Sequence, residues 1–155
     1  RCADFAAMQI MNVIYGSGMT SKLFVNVREK MSLCYSIGSG YYGSKGIMTV
    51  SAGIDSRHRD KAQSAILAQL TACQKGNISD EELIAAKESI LSGLRAVYDS
   101  SGAIENFFST AAISGQERTP QSHAAQIRAV TREAVAEAAA TIVPHSTFFL
   151  EGGAP

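Results

Sequence analysis

The sequence is short of several things at once. It has no excess of charge: Lys plus Arg is 14 and Asp plus Glu is 14, a formal net charge of zero. With no basic surplus and no basic run, nucleic acid is not expected as the main partner. No apolar stretch approaches the length needed to span a membrane, so no membrane partner is expected. Cysteine is scarce: Cys2, Cys34 and Cys73 are an odd number at scattered spacings. They make neither a disulfide framework nor a zinc ribbon, and they suit a reducing, cytoplasmic setting. The opening Arg1-Cys2-Ala3-Asp4 places an acid ahead of the first apolar stretch and does not read as a signal peptide.

What is present is enough for a core. The chain has 155 residues, 46% hydrophobic and 18% charged, which fits one globular domain over 1–155. Phe5, Met8, Met11, Asn12 and Tyr15 recur at steps of three and four, a helical stripe over 3–15. Gly16-Ser17-Gly18 ends it, because glycine accepts the left-handed backbone of a helix terminus. Thr20 is placed to cap a second helix over 21–31 with Leu23, Phe24 and Val27 inward. The period then changes. Tyr35, Ile37, Tyr41 and Tyr42 lie among serines and glycines, Gly43-Ser44-Lys45-Gly46 has turn composition, and Ile47-Met48-Thr49-Val50 follows. This predicts an antiparallel hairpin over 34–54, with the glycines of the first strand marking a bulge or a close backbone approach.

From Ser56 the pattern is helical. Ala62, Ile66, Leu70 and Cys73 form one stripe, broken at Gly76-Asn77. Ser79 with Glu82 makes a capping box. Leu83, Ala86, Ile90, Leu94 and Val97 form the inner side of the next helix. Further starts are expected at Ser101-Gly102, at Thr119-Pro120 and at Thr131, where Val130 can staple against Val135. Pro144 stops the last helix, and Thr147 to Leu150 reads as a closing strand. The fold class is therefore α+β: a mixed or antiparallel sheet with helices on one face. Three strands are few for so many helices. Together with a helix that begins almost at Arg1, this leads us to expect a segment of a longer polypeptide.

Isolated motifs are weak. Gly16-Ser17-Gly18-Met19-Thr20-Ser21-Lys22 lacks the glycine spacing of a phosphate loop and follows a helix rather than a strand. An arginine in a last helical turn, such as Arg28, complements the helix dipole, and Tyr35 at a strand start is ordinary packing. A small-molecule site on the glycine-rich segment 38–46 would lack a convergent set of acid, base or metal ligands. Among His58, His123 and His145, none belongs to a clustered metal-ligand pattern.

In order, however, the pieces resemble a family. The run Gly16 to Ser36, with its Gly-Ser-Gly turn, helix and Arg28-Glu29-Lys30…Tyr35-Ser36, is similar to a signature of pitrilysin/insulinase-type zinc peptidases. Gly46 to Gly53 resembles that family's second hairpin strand. Glu81-Glu82-Leu83…Ala86-Lys87 with Ser92-Gly93-Leu94 resembles a following long helix, and Ala129 to Val135 a recurrent Val-Thr-x-Glu-x-Val helix start. The likeness runs from about residue 8 to about 150.

The resemblance implies the C-terminal, non-zinc domain of such a peptidase, or of an inactive homologue. In the family, the opposing half carries His-x-x-Glu-His, whose glutamate activates a zinc-bound water. This sequence has no such motif, so no cofactor is expected in it, and zinc is expected only in a partner domain. By the same resemblance, Arg28 and Tyr35 reach the substrate: the phenol donates to an oxyanion and the guanidinium holds a carbonyl or carboxylate. The strand Gly46, Ile47, Met48, Thr49 and Val50 is the candidate template for an extended peptide. The implied partners are a zinc-bearing homologous half or subunit and a peptide; an open sheet edge also permits pairing of two copies. The alternative implication is a structural or interaction subunit with no peptidase role. Either way, this chain alone is not expected to cleave peptides.

Overall fold

A computed structural model describes residues 2–152; the side chains of residues 2–4, Cys2 among them, lie outside the described set. The chain runs α1 (Cys2–Tyr15), a π-helix (Leu23–Lys30), β1 (Cys34–Tyr42), β2 (Ile47–Ile54), α2 (Arg59–Gln74), α3 (Asp80–Ala96), α4 (Ser101–Ile113), α5 (Pro120–Ala129) and α6 (Arg132–Ala140). Short 3-10 turns at Ser56–His58 and Val97–Asp99 precede α2 and follow α3. The architecture is α+β, helices against a two-stranded antiparallel sheet.

Helix α1 is the centre. It packs on α6, α3, α5 and β1, and Ile10, Met11, Ile14 and Tyr15 are buried. A helix that is apolar nearly all round belongs inside. The sequence stripe named Phe5 and Met8, which turn out half-buried at its flank, while Ile10 and Ile14 occupy the middle. The outer helices are set by their caps. Ser79 Oγ accepts from Glu82 N while the Glu82 carboxylate accepts from Ser79 N, at 3.1 and 2.9 Å. Thr119 exchanges the same bonds with Ser122, and Thr131 accepts from Ala134 N. Val130 and Val135 are buried in the same core.

Four local expectations need correction. The second helix is wound as a π-helix: Met31 N donates to Asn26 O, five residues back. Leu23 and Val27 fit either winding, so the stripe could not separate them. Its entry is held by Ser21, not Thr20: the Ser21 hydroxyl donates to Gly18 O at 2.7 Å and accepts from Phe24 N at 3.3 Å. Val97 falls in the 3-10 turn and is half-buried. Thr147 to Leu150 forms no strand. That segment lies beside α2, where Gln63 Nε2 donates to Thr147 Oγ1 and Arg59 covers the Phe149 ring. A helix has no free ladder of backbone groups to offer it. The sheet therefore has two strands, not three.

The hairpin is tied to α1 by a close approach. Ser39 N donates to Gly16 O at 3.0 Å, and Ser39 Oγ donates to Asn12 Oδ1 at 2.8 Å. A Cβ at Gly16 would sit 2.5 Å from Ser39 Oγ, so only glycine fits. The pairing register runs from Tyr42↔Ile47 to Cys34↔Ile54, with a bulge at Tyr35.

Candidate functional site

An antiparallel hairpin returns to its starting level. Cys34 faces Ile54, so whatever follows Ile54 stands beside whatever precedes Cys34. The π-helix ends just before that point. The three segments meet in an open cleft of about 490 Å³, lined by Arg28, Glu29, Ser32, Leu33, Cys34, Tyr35, Asp55 and His58.

Arg28 is fixed on several sides. Its Nε donates to the Tyr35 carbonyl oxygen at 3.0 Å, its guanidinium lies 4.5 Å from the centre of the Phe24 ring, and Nη1 is 3.3 Å from Glu29 Oε1. The π winding delivers it to the hairpin mouth. Such windings are rare and recur at functional positions. The helix ends on Ser32, whose φ of 51° is left-handed. With that turn Leu33 N reaches back to Val27 O at 3.2 Å and the chain drops into β1.

Tyr35 is the bulged residue and is 75% exposed. A bulge re-aims a side chain, and here the end of the Tyr35 ring lies over Gly53 of β2. The structure thus brings Arg28 and Tyr35 together, joined through the Tyr35 carbonyl. Strand β2 presents Ile47 and Thr49 outward, while Met48 and Val50 are half-buried against the core. Gly46 has a φ of 63° and closes the turn before it. Among the described residues β2 pairs on one edge only, with β1.

Spacing along the chain does not mark Asp55 and His58 as site residues. Asp55 is bound by Arg57 through its backbone N (3.0 Å), Nε (3.0 Å) and Nη2 (2.7 Å). Those bonds hold the Asp55 carboxyl well below the usual carboxylate range. His58 N donates to Asp55 O, and the imidazole makes no capping bond at the start of α2. The signal that could have found both is the hairpin register itself, which sets residues after 54 next to residues before 34. Cys34, on the cleft floor, is buried; burial raises its thiol pKa and the nearby Arg28 lowers it.

The histidines do not fit a zinc site. His58 is exposed at the cleft, His123 is buried against Gln9 and Gln126, and His145 lies in the C-terminal segment. Among the described residues no group of three His, Cys, Asp or Glu side chains could hold a metal ion. No helix among them is long and apolar enough to cross a membrane.

Comparison with known proteins agrees with this architecture. Residues 3–90 match the family described as the peptidase M16 inactive domain. A protein of Bacillus subtilis named "Probable inactive metalloprotease YmfF" is 32% identical over 149 residues, which are 96% of this chain and 35% of that protein. The crystal structure of a conserved protein from Enterococcus faecalis superposes with a TM-score of 0.82 at 31% identity, covering 88% of this chain and 32% of the other. A peptidase M16 inactive domain from Pseudomonas fluorescens shares the fold, with a TM-score of 0.75 at 20% identity, over 91% of this chain and 34% of that one. The chain spans about a third of the length of the first of these relatives. On the family match to more than half of its residues, the chain belongs to the family of peptidase M16 inactive domains.

Proposed function

We propose that this domain is the non-zinc half of a peptidase chamber, in which Arg28 and Tyr35 hold the substrate while a zinc-bearing half supplies the hydrolytic centre. The observation that carries the reading is that both residues line one open cleft and that Arg28 Nε is bonded to the main-chain carbonyl of Tyr35. On this reading 1–155 is a single C-terminal domain of a longer polypeptide whose zinc-binding domain lies outside it.

The chemistry follows from the donors. With Nε on the Tyr35 carbonyl and Nη1 toward Glu29, the guanidinium turns its remaining N–H groups to a peptide carbonyl or carboxylate. The phenol donates to the oxygen that becomes negative when a peptide carbonyl is attacked. Gly46 to Val50 offer backbone N–H and C=O groups along the open edge of β2 to an extended peptide. A zinc ion in the partner half would supply an activated water. The sequence holds no His-x-x-Glu-His, and on this reading the part of this domain is to hold and orient.

The test is reconstitution. The full-length protein and a zinc-bearing homologous half are combined and peptide cleavage is followed. Tyr35→Phe is expected to lower kcat by about 10²-fold with KM little changed. Unchanged kcat removes the oxyanion role. The Bacillus subtilis relative is named a probable inactive metalloprotease, which favours the absence of peptidase activity and so a second reading, a structural or interaction subunit without peptidase role. That reading expects stable association with the partner half and no change in cleavage when Arg28 or Tyr35 is replaced.

A further inference from the structure

We propose that Gly53 is a positioning residue for Tyr35: a bare stretch of β2 on which the phenol end of the ring rests, so that any side chain at 53 displaces it. Gly53 is not among the glycines with positive φ, so its backbone does not require glycine. What requires it is the space above it. A Cβ at Gly53 would lie 2.5 Å from Tyr35 Cζ and 2.7 Å from Ser36 Oγ, closer than real Cβ contacts come. The strand register explains the meeting. Gly53 pairs with Ser36, and the bulge at Tyr35 leaves that residue without a cross-strand partner of its own. The ring is 75% exposed, so the fold does not wall it in on its outer side.

The phenol is therefore held from two directions. Arg28 fixes the main chain of Tyr35 by its bond to the carbonyl. Gly53 sets where the far end of the ring comes to rest. The clash at Gly53 is with the tip of a flexible side chain and with a hydroxyl that can rotate. An added methyl group is relieved by swinging the ring outward, with the strands still paired. Gly53→Ala thus separates the position of the phenol from the integrity of the hairpin.

Two measurements on the full-length protein test this, and only the second rests on the peptide-site reading. By NMR, the Gly53 Hα resonances are expected to carry a ring-current shift that disappears in Tyr35→Leu. If Tyr35→Leu leaves those resonances where they were, the ring does not rest on Gly53 and the proposal fails. With the zinc-bearing half present, Gly53→Ala is expected to lower kcat by about 10²-fold, as Tyr35→Phe does, with a near-native unfolding midpoint. The double variant is expected to lose no more than either single one. Cleavage that depends on Tyr35 but not on Gly53 overturns the positioning role and leaves the peptide-site reading standing. Cleavage indifferent to both, with the ring-current effect intact, overturns the peptide-site reading and leaves the contact.

Discussion

Arg28 and Tyr35 meet through the main chain: the Nε of Arg28 donates to the carbonyl oxygen of Tyr35 at 3.0 Å, with the guanidinium over Phe24. A lysine keeps the charge and loses the planar fork that serves the carbonyl and the ring together. Arg28→Lys is expected to cost about 0.5–1.5 kcal/mol in urea unfolding. Faster amide exchange at the bulge would mark the loosened hairpin mouth. An unchanged midpoint and unchanged exchange at 34–36 would show that the bond holds nothing.

Glu82 serves two elements with one carboxylate. It accepts from Ser79 N at 2.9 Å and from Lys22 Nζ at 2.8 and 3.0 Å, joining the start of α3 to the entry of the π-helix. The Lys22 side chain is only 11% exposed, so little water is at hand to replace that partner. Glu82→Ala is expected to cost about 2–3 kcal/mol, against about 1 kcal/mol for Ser79→Ala, because only the first strands a partly buried cation. Equal costs would show that the cap alone matters.

His123 is buried between α1 and α5, with Nε2 2.6 Å from Gln9 Oε1 and Nδ1 3.4 Å from Gln126 Oε1. Burial lowers its pKa, the bond to Gln126 raises it, and Arg118 lowers it further; the net direction is down from 6.5. A folded pKa below the unfolded one means that the unfolded state binds the proton more readily. Its contribution is complete above 6.5 and is lost as pH falls through the folded value. The melting temperature is expected to drop between pH 7 and pH 5, and His123→Leu to flatten that slope. A His123→Leu profile with the wild-type slope would assign the pH dependence elsewhere.

Ser32 occupies a left-handed conformation, with φ 51°, at the end of the π-helix. A side chain there is strained, and glycine relieves the strain at some cost in unfolded-state entropy. Ser32→Gly is expected to raise stability by about 0.5 kcal/mol and Ser32→Val to lower it by about 1–2 kcal/mol. The opposite order would mean that the hydroxyl, not the backbone, matters at 32.

Much of the frame was legible in the residues. Ser79 and Glu82, Thr119 and Thr131 announce helix starts because capping is local chemistry. The hairpin was legible because alternation and turn composition are local too. Thr147 to Leu150 misled for the opposite reason: aromatic and β-branched residues favour a strand, but a strand exists only with a partner. Arg28 and Tyr35 came from the family resemblance. Gly53 and His58 escaped because their importance arises across the hairpin, from a register that spacing along the chain does not display.

The π-helix makes residue count as consequential as residue identity. Wound as an ordinary α-helix, the same segment would turn everything beyond the widened stretch by about 100° about the axis and carry the guanidinium off the carbonyl it holds. Between Leu23 and Val27, removing one residue is the length change that tighter winding can absorb, and adding one is not.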